Sequence, residues 1–177
     1  PDYRQLENYE PPVTTRLFAG DGQVMMEYAA EKRLFVPIEK IPDKVKNAFI
    51  AAEDKHFYTH SGIDYLGIIR AVLGNLKKIG TGRRPAGAST ITQQVAKNFL
   101  LSSELSYTRK IKEAILARRI DKAFSKDHIL ELYLNEIYLG NRAYGVAAAA
   151  INYFGKSLDD LTLDEIAYLA ALPKGPN

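Results

Sequence analysis

A chain of 177 residues, 46% apolar and 25% charged, is long enough to bury a core and has the make-up of one folded domain. Its 24 basic and 21 acidic residues leave a net charge of +3, too little for a dedicated nucleic-acid binder but compatible with an anionic ligand. The lack of cysteine excludes disulfides and thiolate metal sites, and no apolar run approaches the roughly 20 residues that span a bilayer. With no signal-peptide pattern at the start and a linker-like Pro173-Lys174-Gly175-Pro176-Asn177 at the end, a soluble piece or processed fragment of a longer chain is expected.

Residues 14–29 read as two short strands around Asp21-Gly22, a dipeptide suited to the positive φ of a tight hairpin turn. From Pro42 the signals are helical. Proline suits a first turn, Val45, Phe49 and Ala52 recur on one face, and Gly62 offers a stop. Leu66, Ile69, Leu73 and Leu76 fall at helical spacing in the next segment, which Gly80 would end after Lys77 and Lys78. Gly80 to Gly87, with a proline beside Arg83 and Arg84, is predicted to be a loop, either a solvated connection or a lid over an anionic ligand. Helices are then predicted over 88–101, 104–124 and 126–139, the last capped by Ser125 and stopped by Gly140, with two more near 147–150 and 164–172. The organisation is a single mainly α domain over 1–177, with an N-terminal hairpin and linking segment to residue 40 and a helical body over 41–177.

Four polar clusters interrupt these apolar patterns. Glu53 and Asp54 end the first helical run, and consecutive helical residues point about 100° apart, so the two cannot share one pocket. Glu53, four residues after Phe49, falls on the flank of the buried face, where a carboxylate can act as a base, and Asp54 suits a structural hydrogen bond. From these residues alone, surface salt bridges are the better account of both. His56 and His60 would share a helix face, but Phe57 stands where a zinc-protease helix needs glutamate, so packing or hydrogen bonding suits them better. Gly87-Ala88-Ser89-Thr90-Ile91 lacks the second glycine of a serine-hydrolase elbow. Ser89, Gln93 and Lys97 form one polar stripe and Thr90, Gln94 and Asn98 another, both starting at a helix N-terminus that attracts anions; a solvated face is the plain alternative. Arg109 and Lys110 stand at ion-pair spacing from Glu113, the default reading for such a trio. Glu131 and Asn135 interrupt an apolar helix and fit buried structural anchors.

In this order, Glu53-Asp54-x-x-Phe57-x-x-His60-x-Gly62, Gly87-x-Ser89-Thr90-x-Thr92-Gln93-Gln94, Arg109-Lys110-x-x-Glu113 and Glu131-Leu132-Tyr133-Leu134-Asn135 resemble four signature motifs of the peptidoglycan glycosyltransferase domain, family 51, over about Arg16 to Asn177. The resemblance implies a lysozyme-like helical domain with a small membrane-associated jaw, held at the outer face of the bacterial inner membrane by an upstream helix outside this stretch. It implies polymerisation of lipid II into β-1,4-linked glycan, with inversion at the donor anomeric carbon and release of undecaprenyl diphosphate. Glu53 would be the general base and Glu113 the second essential carboxylate, assisting diphosphate departure directly or through a weakly bound divalent cation, Mg or Mn, with Glu113 as its ligand. Asp54, His60, Ser89, Thr90, Gln93, Gln94, Lys97, Asn98, Arg109, Lys110 and Asn135 would bind substrate. A transpeptidase domain in the full-length chain, the lipid-linked nascent glycan and the membrane surface are the implied partners. Ser103-Glu104-Leu105 departs from the pattern, since many relatives carry arginine at the last position, and Arg83, Arg84 or Arg109 would have to substitute.

Two other readings stand beside this one. A lytic transglycosylase or muramidase would share the fold and a helix-end glutamate but cleave glycan, and a membrane-surface scaffold would use the polar clusters only to staple helices. Phe35, Val36, Ile38 and Ile41 would serve membrane contact or pack against the helical body.

Overall fold

The computed structural model describes residues 2–7, 15–18, 24–28, 32–76, 87–101 and 106–175. The predicted hairpin is present: β1 (Thr15–Phe18) pairs antiparallel with β2 (Val24–Tyr28), Thr15 opposite Tyr28 and Leu17 opposite Met26. Its Asp21-Gly22 turn lies outside the described residues, as do Arg83, Arg84 and the Ser103-Glu104-Leu105 stretch. Seven helices follow among the described residues: α1 (Asp43–Glu53), α2 (Tyr65–Leu76), α3 (Ile91–Leu100), α4 (Tyr107–Ala123), α5 (Lys126–Glu136), α6 (Val146–Phe154) and α7 (Leu163–Ala171). A pairing not foreseen joins β3 (Lys32–Arg33) parallel to β4 (Ala143–Tyr144), Arg33 opposite Tyr144.

Helix α5 is the centre of the core. Ile129, Leu130, Leu132, Tyr133 and Leu134 point to different sides of it, yet each is 1% exposed or less, as expected of a helix packed all round. Helix α3 packs against both α4 and α5, α1 against α7, and the alanines 147–150 of α6 give a small, buried face. The two polar interruptions of α5 are the anchors their sequence context suggested. Asn135 Oδ1 accepts the Val36 N–H at 2.8 Å while its amide donates to Val36 O and Glu131 O, both at 2.9 Å, and Glu131 Oε2 accepts the Ile38 N–H at 2.7 Å. They strap the 36–38 segment onto α5. Asn135 is therefore buried and fully engaged by the fold, which corrects its expected role in binding substrate. The same strap buries Ile38 and Ile41, so of the four residues weighed for membrane contact only Phe35 is exposed.

Two boundaries differ from the periodicity. Helix α1 stops at Glu53 rather than near Gly62, because Asp54, at φ −157°, turns out of the helix. His56 and His60 thus share no helix face. Helix α5 ends at Glu136, and Gly140, at φ +83°, belongs to the turn beyond it. Gly62 marks a different event: its φ is +83°, and a Cβ there would fall 2.5 Å from the Ala117 carbonyl oxygen of α4, so the chain passes α4 closely at this point.

The apolar spacing of α2 forms the predicted helix but covers no core. Leu66 is 71% exposed, and Ile69, Val72, Leu73 and Leu76 each remain more than half exposed.

Replacing Asn135 by alanine removes three hydrogen bonds and strands both backbone groups of Val36. The unfolding free energy in a urea titration is expected to fall by about 1–3 kcal/mol, with the loss carried by the midpoint rather than the slope.

Candidate active site

The site begins where α1 breaks. The Asp54 carboxylate, 7% exposed, accepts the Ile91 N–H at 3.0 Å, the first residue of α3, and lies 3.0 and 2.9 Å from His60 Nε2. A carboxylate at a helix N-terminus meets both free N–H groups and the positive end of the dipole. Asp54 thus joins the end of α1, the 55–63 turn and the start of α3. This is the structural hydrogen bonding its position suggested, and His60 serves that clamp.

The start of α3 closes with a capping box. Thr90 Oγ1 accepts the Gln93 N–H at 3.1 Å and Gln93 Oε1 accepts the Thr90 N–H at 2.9 Å, while the Thr90 hydroxyl donates to Gly62 O at 2.7 Å. Both side chains are buried and engaged in this way. Gln93, expected to hold substrate, holds the helix start instead, because the capping bond takes its side-chain oxygen.

Fixing α3 in this way fixes Glu53. Gln94 Nε2 donates to Glu53 Oε2 at 2.8 Å, whereas Glu53 Oε1 is buried and has no hydrogen-bond partner among the described residues. The carboxylate borders a cleft of about 320 Å³ whose lining includes Asp54, His56, Arg70, Ser89 and Thr90. On the other side of Ser89 lies the second carboxylate. Lys110 Nζ donates to Ser89 Oγ at 2.9 Å and pairs with Glu113, which α4 buries to 2% exposure. Glu53 and Ser89 thus line the cleft, and Lys110 and Glu113 adjoin it through the Ser89 hydroxyl.

Two further buried polar groups stand without partners among the described residues. The Tyr133 hydroxyl of α5 is buried without a partner among the described residues; burial pushes its pKa well above the ordinary phenol value, and the negative charges of Glu53 and Asp54 push it further. Arg109 Nε, on α4, is likewise buried and unpartnered among them. Lys97 and Asn98 lie further along α3, exposed and outside the lining of the cleft. Arg70 and Asp64, which the sequence reading passed over, do line it; Arg70 Nη2 lies 3.4 Å from Asp64 Oδ2, and Asp64 Oδ1 accepts the Gly67 N–H of α2 at 2.8 Å. Arg70 is the sole charged residue of α2, a signal present in the sequence.

Among the described residues no three acidic or imidazole side chains gather as a metal set, and the Lys110 ammonium already neutralises Glu113, the one acid expected to ligate.

Lys110→Met leaves Glu113 buried without its counter-charge and is expected to cost about 1–3 kcal/mol in denaturant unfolding. Adding Glu113→Leu removes the stranded charge, and the double variant should recover most of that loss.

The sequence profile of a family described as Transglycosylase matches residues 21–177. Penicillin-binding protein 1A of Rickettsia bellii (strain RML369-C) is 58% identical over all 177 residues, and that of Neisseria flavescens is 53% identical over the same length. The chain spans about a fifth of each of these relatives (22%). The crystal structure of penicillin-binding protein 1A from Haemophilus influenzae aligns with 96% of this chain and 15% of its own, at 27% identity and a TM-score of 0.45. On the strength of the sequence matches, this chain belongs to the transglycosylase family.

Proposed function

We propose that this domain is a peptidoglycan glycosyltransferase that polymerises lipid II into β-1,4-linked glycan, inverting the donor anomeric carbon and releasing undecaprenyl diphosphate. The observation that carries the reading is Glu53, held by the Gln94 amide at the border of a cleft whose Ser89 accepts from Lys110, the partner of the buried Glu113. Glu53 takes the proton of the acceptor 4-hydroxyl as that oxygen attacks the donor anomeric carbon. The new C–O bond forms on one face while the bond to the diphosphate oxygen breaks on the other, and one displacement inverts the centre. The Gln94 amide holds Glu53 against the cleft so that the base is placed before substrate arrives.

The leaving group carries negative charge away, and cations at the cleft favour its departure. Lys110 supplies one at Ser89, with Glu113 fixing it there; Arg70 supplies another, and Arg109 stands on the same helix as Lys110. This cationic lining also weighs against a lytic enzyme, because neutral glycan presents no diphosphate to neutralise.

The acceptor and donor are both lipid-linked, which calls for a membrane surface. The exposed apolar residues of α2 supply a face for it beside the cleft, since Arg70 of the same helix lines that cleft. We place the domain at the outer face of the bacterial inner membrane, within a longer chain that carries an anchor and a transpeptidase domain.

With purified lipid II, Glu53→Gln should retain the Gln94 contact and the fold yet lower glycan polymerisation by about 10²–10⁴-fold. Polymerisation at the unaltered rate by that variant, or cleavage of finished peptidoglycan by the native protein, would remove this reading. Leu66→Ser with Leu73→Ser should leave the thermal midpoint in place and reduce binding to phosphatidylglycerol vesicles about tenfold or more in a sedimentation assay.

A further inference from the structure

The Tyr133 hydroxyl is a buried polar group that the proposed mechanism leaves unused, without a partner among the described residues. Tyr133 belongs to the central helix α5, is 1% exposed, and packs edge-on against Phe49, with ring centroids 6.4 Å apart and planes at 71°. Phe49 lies one helical turn before Glu53 on α1, so this ring contact sets the tyrosine beneath the end of that helix. A phenylalanine would make the same packing contact without burying a hydroxyl. A buried hydroxyl that finds no carbonyl or side chain to bond costs stability, and such groups in folded proteins call for an explanation.

Its complement stands one helical turn from the ring that Tyr133 packs against, and the two groups are not hydrogen-bonded to each other in this structure. Glu53 has its Oε2 bound by Gln94, while Oε1 is turned inward, buried and without a partner among the described residues. One is a donor without an acceptor and the other an acceptor without a donor. The charges that act on the tyrosine hydroxyl are those of Glu53 and Asp54, and Asp54 is already engaged by His60 and the Ile91 N–H. That leaves Glu53 as the carboxylate with an open position.

Resting on the functional reading above, we propose that Tyr133 is a positioning residue for the general base: its hydroxyl donates to the inner oxygen of Glu53 and so holds the outer oxygen, Oε2, toward the acceptor sugar. Tyr133 is locked by the core, whereas Glu53 stands on the last residue of its helix with a long side chain, so the carboxylate is the partner that swings. Gln94 and Tyr133 then grip one oxygen each, and the carboxylate plane is fixed from both sides. The grip leaves a lone pair of Oε2 free for the proton of the incoming alcohol.

The test is the pH dependence of lipid II polymerisation by the wild-type domain, by Tyr133→Phe, and by protein carrying 3-fluorotyrosine at position 133. Loss of a hydrogen bond to the ionised carboxylate makes the base hold its proton more tightly, so the ascending limb of kcat/KM against pH should move to higher pH in Tyr133→Phe. We expect kcat to fall about tenfold with KM unchanged, and the thermal midpoint to be retained or raised. Fluorotyrosine is a stronger donor that keeps the ring and hydroxyl, and burial keeps it protonated; its limb should move the opposite way. A limb that stays fixed in both proteins, with or without a loss of rate, overturns the proposal, because packing alone moves neither. Wild-type protein that polymerises nothing brings down the functional reading and this inference with it. Wild-type protein that polymerises normally beside an unaltered Tyr133→Phe overturns only the inference.

Discussion

The Asp54 carboxylate is the joint on which this domain is assembled. It leaves α1, accepts the first N–H of α3 and lies against His60, so the end of α1, the turn after it and a helix 37 residues on meet at one buried acid. Desolvating a carboxylate is costly unless its lone pairs are filled, and here a backbone N–H and an imidazole fill them. Everything functional follows from that junction. With α3 anchored at its first residue, Gln94 falls on the same turn of helix as Thr90 and the capping box, and its amide reaches Glu53. The neighbouring acids thus divide the labour that consecutive helix positions require: one builds the corner and the other stands at its mouth.

A second buried acid repeats the device with a different counter-group. Glu113 is buried on α4 and neutralised by Lys110, whose half-exposed ammonium reaches across to Ser89. A buried ion pair of this kind adds little net stability, since desolvation offsets most of the attraction. Its use is positional. A solvent-exposed lysine would sample many rotamers, whereas one tied to a buried carboxylate presents its charge at one place, and charge fixed in advance stabilises a departing anion without reorganisation. The lysine that reads in the sequence as half of an ordinary intrahelical pair is that pair, and it also reaches Ser89 at the cleft.

What was legible in the sequence was local. Ser125 caps α5 as its position suggested, and the apolar repeats locate the helices to within a turn, because caps and periodicity act over a few residues. The end of α1 was not legible, since Asp54 leaves the helix to meet partners supplied by Ile91 and His60, and nothing within a turn of Glu53 announces them. The same cause misplaced Gln93 and Asn135. Their polar character inside apolar surroundings was visible, but whether such a group faces a ligand or a backbone segment depends on where the 36–38 strap and the Thr90 N–H come to lie. Arg70 was visible as a lone charge and was passed over. Tyr133 reads in sequence as one more large residue of an apolar run; only its buried hydroxyl, without a partner among the described residues, sets it apart.

Helix α2 shows why a hydrophobic pattern alone does not say what it is for. Its spacing matches that of a core helix, and periodicity would assign it to the interior beside α5. The difference lies in what the rest of the chain does. The interior is already closed by α3, α4, α5 and α6, and Asp64 launches α2 away from it by capping its first turn through the Gly67 N–H. The helix is then left with an apolar side that meets no core, and a single arginine at the cleft. An enzyme that only met soluble sugars would have no reason to maintain that exposed side at a cost in solubility. On the function proposed above, with a substrate that is a diphosphate bearing a hydrocarbon tail, the two features belong together: the cation and the apolar side lie on one helix, so seating that helix on a lipid surface would also bring the cleft to the depth of the headgroup.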